Sequence, residues 1–194
     1  MRQLNRCGWL DCNKPDYVIY HDEEWGVPEY DDQRLFELLT LESAQAGLSW
    51  YTILKKRENY RQAFHFFEVD KVAAMTEDDV LRLLQDAGIV RHRAKIEAAI
   101  NNARRFIAIQ TEFGSFAQYM WAFVDGKPIN NCYPSLDKVP TTTPLAERMA
   151  KDLKKRGFKF LGPTTVYSFM QANGMVNDHT TDCFRHVEVS ADKA

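Results

Sequence analysis

The sequence predicts an all-α fold, on three observations. Apolar residues recur at spacings of three and four, capping residues stand ahead of several of those runs, and no stretch alternates as a half-buried strand would. Residues 32–41 open with Asp31 or Asp32 as a cap and set Leu35, Phe36, Leu38 and Leu39 on a wide apolar face. Ser49 caps a second helix through residues 50–64, with Trp50, Ile53, Leu54 and Arg57 in register. Thr76 and Asp79 form a capping-box variant opening the helical stretch "EDDVLRLLQDAG", and Gly88 suits the C′ position behind it. After only "IVR" a further helical pattern carries Ile96, Ala99, Ile100, Ala103 and Ile107. Helices at 115–124, 144–156 and 163–173 follow. Thr143 caps and Pro144 opens the second of these, Gly157 ends it, and Gly174 stops the third. Residues 125–142, with Pro128, Pro134 and Pro140, form the longest loop.

The 194 residues, 45% hydrophobic and 27% charged, suffice for one core and a single domain over residues 1–194. No stretch resembles a membrane span and the first residues lack the apolar run of a secretory leader, so a cytoplasmic protein is expected. Four cysteines do not make a disulfide framework at this length; free thiols or metal ligands are expected. A net charge of −2 does not advertise a nucleic-acid binder. Basic residues nevertheless cluster at 55–57, 91–95, 104–105 and 154–159. Such stripes either steer a polyanion through their local field or are solvated helix faces, and charge does not separate the two.

Two groupings point to chemistry. The first is the helix–hairpin–helix reading of residues 76–110. The second helix of a tight hairpin offers free N–H groups and the positive end of its dipole to a phosphate, with Arg91, Arg93 and Lys95 adding charge. Such contacts would hold a DNA backbone without reading its sequence; an ordinary helical corner is the competing reading. The second grouping is Cys7, His21, His179 and Cys183. His179 and Cys183, four apart, would share one face of a helix turn. The set suits tetrahedral zinc and would clip residues 6–21 to residues 179–183. Composition alone leaves open two hydrogen-bonded histidines and two buried thiols.

The stretches "RCGW", "YHDEEWGVP", "LFELLTLESAQAGLSW", "DAGIVRHRAKI", "LKKRGFKFLGPTTVYSFMQANGMVNDH" and "DHTTDC" fall in the order of one known family. From about residue 6 to 183 the chain closely resembles the constitutive bacterial 3-methyladenine DNA glycosylases of type I. The resemblance implies a helix–hairpin–helix DNA glycosylase fold, with one structural zinc per chain held by Cys7, His21, His179 and Cys183. Cys12 and Cys132 fall outside the set. It implies hydrolysis of the N-glycosidic bond of 3-methyladenine in alkylated double-stranded DNA, the first step of base-excision repair, by a monomer.

The implied residues suit that chemistry. The target base must leave the duplex, and 3-methyladenine in DNA is cationic, so a pocket for it needs π-faces and a carboxylate. Aromatic faces give a desolvated cation about 2 kcal/mol, and stacking adds roughly 1–3 kcal/mol per base. By resemblance Trp9, Tyr17, Tyr20 and Trp50 surround the base, and Glu42 accepts from its exocyclic amine. Trp25 is read as core packing. Leu48 is the wedge that fills the vacated stack, Gly47 permits close approach, and Gln45 touches bases around the gap. Gly88, Val90, Arg91, Arg93 and Lys95 hold the backbone. The catalytic aspartate of the wider superfamily is missing from "GPTT" at 162–165, which leaves activation to the labile base, with Glu42 assisting electrostatically. A non-catalytic zinc-stabilised DNA-damage-binding module is the alternative. A lyase with a Schiff-base lysine is disfavoured, because the lysines lie in basic, solvated clusters.

Overall fold

Ten consecutive residues of helix α2 (Asp32–Gln45), from Leu35 to Ala44, are buried, which places this helix at the centre of the molecule rather than on its surface. Burying Leu35, Phe36, Leu39 and Leu41 contributes roughly 1.5–3 kcal/mol each. The computed structural model describes residues 4–191. Asp31 caps α2 through the Arg34 amide at 2.9 Å. Asp32 instead accepts the amides of Phe116 and Ala117, each at 2.8 Å, and so fixes the start of α8 (Phe116–Trp121). The helix outruns its predicted end at residue 41, and the added turn carries Glu42 and Gln45.

Ahead of α2, the short α1 (Pro15–Ile19) widens into a π turn at Tyr20–Glu24. Neither was predicted: five residues opened by a proline carry no legible period. The single helix expected over 50–64 is two, α3 (Trp50–Leu54), capped by Ser49 as expected, and α4 (Arg57–Ala63). The break at Lys55 and Lys56 turns the Arg57 guanidinium inward, where it pairs with buried Glu37 and with Glu24 of the π turn at 2.7 Å. Arg61 reaches the same Glu37 oxygen at 2.9 Å.

Helix α5 (Val69–Ala73) packs along α7 (Arg93–Phe113), and α6 (Glu77–Leu84) opens with the expected Thr76–Asp79 capping box. The hairpin connection is longer than predicted. Helix α6 stops at Leu84, and Gly88 does not take the left-handed conformation of a C′ residue. It is small for another reason: a Cβ there would come within 2.9 Å of Asn59 and Asp86. Beyond α8, α9 (Pro144–Lys155) has its predicted Thr143 cap and α10 (Pro163–Ala172) packs against it. Gly174, behind α10, has φ of +73° and sits so close to Val27 and Pro28 that a Cβ would lie 2.4 Å from their backbone. The region read as strandless contains one short parallel pairing, β1 (Ile129–Asn130) with β2 (Val176–Asn177). Helix α11 (Phe184–Ala191) follows, and the Phe184 amide donates to the Asn5 carbonyl at 3.0 Å, joining the two ends of the described chain.

Candidate functional site

The final turn of α2, the start of α3, the π turn and the segment before α1 converge on a cavity of about 300 Å³, within the size range of small-molecule sites. Its walls include Trp9, Tyr17, Tyr20 and Trp50, with Glu42 and Gln45 alongside. The rings form a continuous chain: Trp9 to Tyr17 at 5.2 Å, Tyr17 to Tyr20 at 6.4 Å, and Tyr20 to Trp50 at 5.4 Å between centroids. Trp25, read as core, is indeed buried, but it also lines the cavity and meets the edge of Trp9 at 5.0 Å. All the predicted base-pocket residues are therefore brought together.

Three polar groups of this lining have no hydrogen-bond partner among the described residues, although they are buried: Oε2 of Glu42 and the indole N–H groups of Trp9 and Trp50. Buried polar groups usually have partners, and water or a ligand in the cavity is positioned to supply them. Burial alone pushes the Glu42 carboxyl up to about 8, because low-polarity surroundings disfavour its charged form. A second hollow of about 180 Å³ shares Glu42, Gln45 and Ser168 with the first and is bounded by Gly47, Leu48, Thr164 and Thr165. Thr164 and Thr165 of the "GPTT" segment thus reach the site.

Sequence reasoning missed Asp178, a second buried carboxylate on the cavity wall. It accepts from Tyr167, from Gln171 at 2.8 Å and from Asn131 at 2.7 Å. Its position beside His179 was the available clue. Leu136, Val139 and Pro140, in the long loop, complete the lining; no periodicity marks such residues.

Cys7, His21, His179 and Cys183 are all buried, and one ligand atom from each lies within 4.8 Å of the others. Cys7 Sγ is 3.4 Å from His179 Nδ1, and Cys183 Sγ is 3.6 Å from both His21 Nε2 and His179 Nδ1. Metal bonds of about 2.0–2.3 Å at tetrahedral angles give edges close to these. The outer nitrogens are already engaged. His21 Nδ1 donates to Asp22 at 2.7 Å, itself held by Arg6, and His179 Nε2 donates to the Trp25 carbonyl at 3.0 Å. That leaves the inner nitrogens as lone pairs, the arrangement of second-shell partners around a bound metal. Hydrogen bonding from the Cys7 thiol holds the Cys183 thiol well below its ordinary range. The cluster can hold a metal ion. Each of three stretches carries both a ligand and a cavity wall: Cys7 with Trp9, Tyr20 with His21, and Asp178 with His179. The wide π turn lets adjacent Tyr20 and His21 serve the two sites.

Gly47 has φ of +80°, and the turn it makes leaves Leu48 exposed at 41% rather than in the core. The hairpin residues are less free than expected. The Gly88 amide donates to Asp86 at 2.7 Å and the Val90 amide to the Tyr60 hydroxyl at 3.1 Å. Arg93 pairs with Glu77 and Glu97, and Lys95 bonds back to α2. Arg91 is exposed. The other basic clusters are also partly spent internally: Arg104 donates to the Ala73 and Met75 carbonyls, and Arg156 pairs with Glu112 and Asp152.

Comparison with known proteins agrees with this geometry. The family described as methyladenine glycosylase matches residues 9–186. DNA-3-methyladenine glycosylase 1 of Escherichia coli is 53% identical over 93% of this chain and 96% of its own length. A crystal structure of 3-methyladenine DNA glycosylase I superposes with a TM-score of 0.90 at 58% identity, covering 93% of this chain and 98% of the other. A structure of the Staphylococcus aureus enzyme, described as the basis of its 3-methyladenine recognition, has a TM-score of 0.90 at 46% identity, covering 93% of this chain and 96% of the other. With nearly its whole length matched, the chain belongs to the methyladenine glycosylase family.

Proposed function

We propose that this protein is a monofunctional DNA glycosylase that releases 3-methyladenine from alkylated double-stranded DNA, opening base-excision repair. The observation that carries this reading is the ring-walled cavity with an unpartnered carboxyl oxygen and two unpartnered indole N–H donors. A flipped cationic purine fits that inventory. The rings of Trp9, Tyr17, Tyr20 and Trp50 take its faces, and Glu42 accepts from the exocyclic amine. Guanine presents a carbonyl there and is refused. Arrival of the cation favours the ionised form of Glu42, which loses its proton to solvent and offsets the charge.

The adjoining hollow seats the sugar. As the C1′–N9 bond breaks, its electron pair leaves with the base, which departs as neutral 3-methyladenine. The sugar becomes oxocarbenium-like, Glu42 stabilises it electrostatically, and water bonds to C1′ while its proton passes to solvent. Leu48, presented by Gly47 and flanked by Gln45, occupies the vacated stack. Residues 76–110 serve as the hairpin, with Arg91 and the first amides of α7 against the DNA backbone and Gly88 and Val90 shaping the connection.

The Cys₂His₂ cluster binds one zinc per chain. With four protein ligands and no open position its role is structural. Incubation with methylated duplex DNA followed by assay of free bases tests the activity: 3-methyladenine is the expected product, and binding without base release would favour a damage-binding module instead.

A further inference from the structure

Lys95 was expected beside Arg91 and Arg93 at a DNA phosphate. Its ammonium instead donates to the carbonyl oxygens of Ala44 at 2.9 Å and Ala46 at 2.6 Å. Ala44 lies in the last turn of α2 and Ala46 is its C-cap. Carbonyls at a helix end lack intrahelical donors and sit at the negative pole of the dipole, so a cation there is favoured. The contact spans 49 and 51 residues of sequence. It joins the first turn of α7 to the loop that presents Leu48.

That loop has little else to hold it. Gly47 meets nothing within 4 Å of where a Cβ would stand, Leu48 is exposed, and the bond from the Leu48 amide to the Gln45 carbonyl at 2.6 Å is local. An apolar wedge driven into a base stack must resist being pushed back. On its own the Gln45–Leu48 turn would yield. The Arg93 and Ala94 amides, at the start of α7, have no protein partner among the described residues. A phosphate seated on them would fix the residue from which Lys95 reaches across. Arg93 faces away, toward Glu77 and Glu97, so Lys95 is the basic side chain that makes this crossing.

We propose that Lys95 is a positioning residue: it clamps the wedge loop to the start of α7, so that docking of the DNA backbone on the hairpin sets the depth at which Leu48 enters the stack. This rests on the glycosylase reading above. In that scheme Lys95 neither touches the base nor neutralises a phosphate; it acts through Ala44 and Ala46 on Leu48.

The test compares the native chain with K95M, K95R, L48A and the K95M/L48A double variant. Duplexes carry 3-methyladenine, or a stable abasic analogue with 2-aminopurine next to the gap as a reporter of unstacking. K95M should lose about 10- to 100-fold in single-turnover excision, the scale of a misplaced positioning group, with a weakened 2-aminopurine signal. Its affinity for free 3-methyladenine, read by tryptophan fluorescence, should be unchanged. Its salt dependence of DNA affinity should keep the native slope. K95R should recover part of the excision rate, and in the L48A background K95M should cost little more, because both act through the same wedge.

A slope reduced by about one would make Lys95 a phosphate ligand, and full additivity with L48A would separate it from the wedge; either overturns the proposal. Should K95M fold poorly, K95R and a Lys95→Gln variant, which keeps a neutral donor, carry the same comparison. Absence of 3-methyladenine release by the native chain would instead sink the glycosylase reading, while the abasic duplex would still report on the clamp.

Discussion

The carboxyl group of Glu42 is 5% exposed, and burial alone pushes its pKa up to about 8. The folded protein therefore keeps a proton that the unfolded chain releases above about 4.5. Stability falls as pH rises through the window from about 4.5 to 8 and levels off beyond it, because the folded state binds more protons there. Glu42→Gln should remove this slope and raise stability by several kcal/mol at pH 9, as read from urea unfolding between pH 5 and 9. The same variant should lose most 3-methyladenine excision, a separation that shows the acid is kept for chemistry at a cost in folding. Glu42 was legible only through the resemblance. A glutamate in the last turn of a buried helix has no pattern of its own, and Asp178, held by Tyr167 and Gln171 of α10 and by Asn131 after β1, had only its place beside His179 to mark it.

Helices with strong local chemistry were readable, and those held by their neighbours were not. Thr143, Pro144 and Gly157 bracket α9, Thr76 and Asp79 open α6, and Ser49 caps α3, each through contacts a few residues apart in sequence. By contrast α1, the π turn and α5 are five residues each, shorter than one apolar period needs to show itself, and β1 and β2 have two residues apiece. The break between α3 and α4 depends on Glu24 and Glu37, whose call on Arg57 comes from 33 and 20 residues away. Arg57→Ala should cost about 1.5–3 kcal/mol, since buried Glu37 loses its most buried partner and keeps only Arg61 and Arg34, with excision reduced as the π turn loosens; the urea midpoint and the base-release assay measure the two effects. Gly174→Ala should cost about 2–4 kcal/mol, because its left-handed φ resists a side chain and a Cβ would strike Val27 and Pro28. The check is a lower urea midpoint at unchanged slope.

The ends of the described chain meet at the Cys₂His₂ cluster, with Asn5 bonded to Asp182 and to the Phe184 amide nearby. A metal held by residues 7, 21, 179 and 183 would close most of the chain into one loop, and such closure removes freedom chiefly from the unfolded state. Elemental analysis should find about one zinc per chain, and a strong chelator should lower the melting temperature. A metal-free protein of undiminished stability would contradict that. No helix among the described residues is long and apolar enough to cross a membrane. The pairing of Cys7 with Trp9, Tyr20 with His21 and Asp178 with His179 reaches further than stability. Because three sides of the pocket hang from the same knot, ion starvation would blur recognition of the lesion before the helices melt. A chelated sample with native circular dichroism but slackened grip on 3-methyladenine would be its signature, a repair protein that is folded and yet blind.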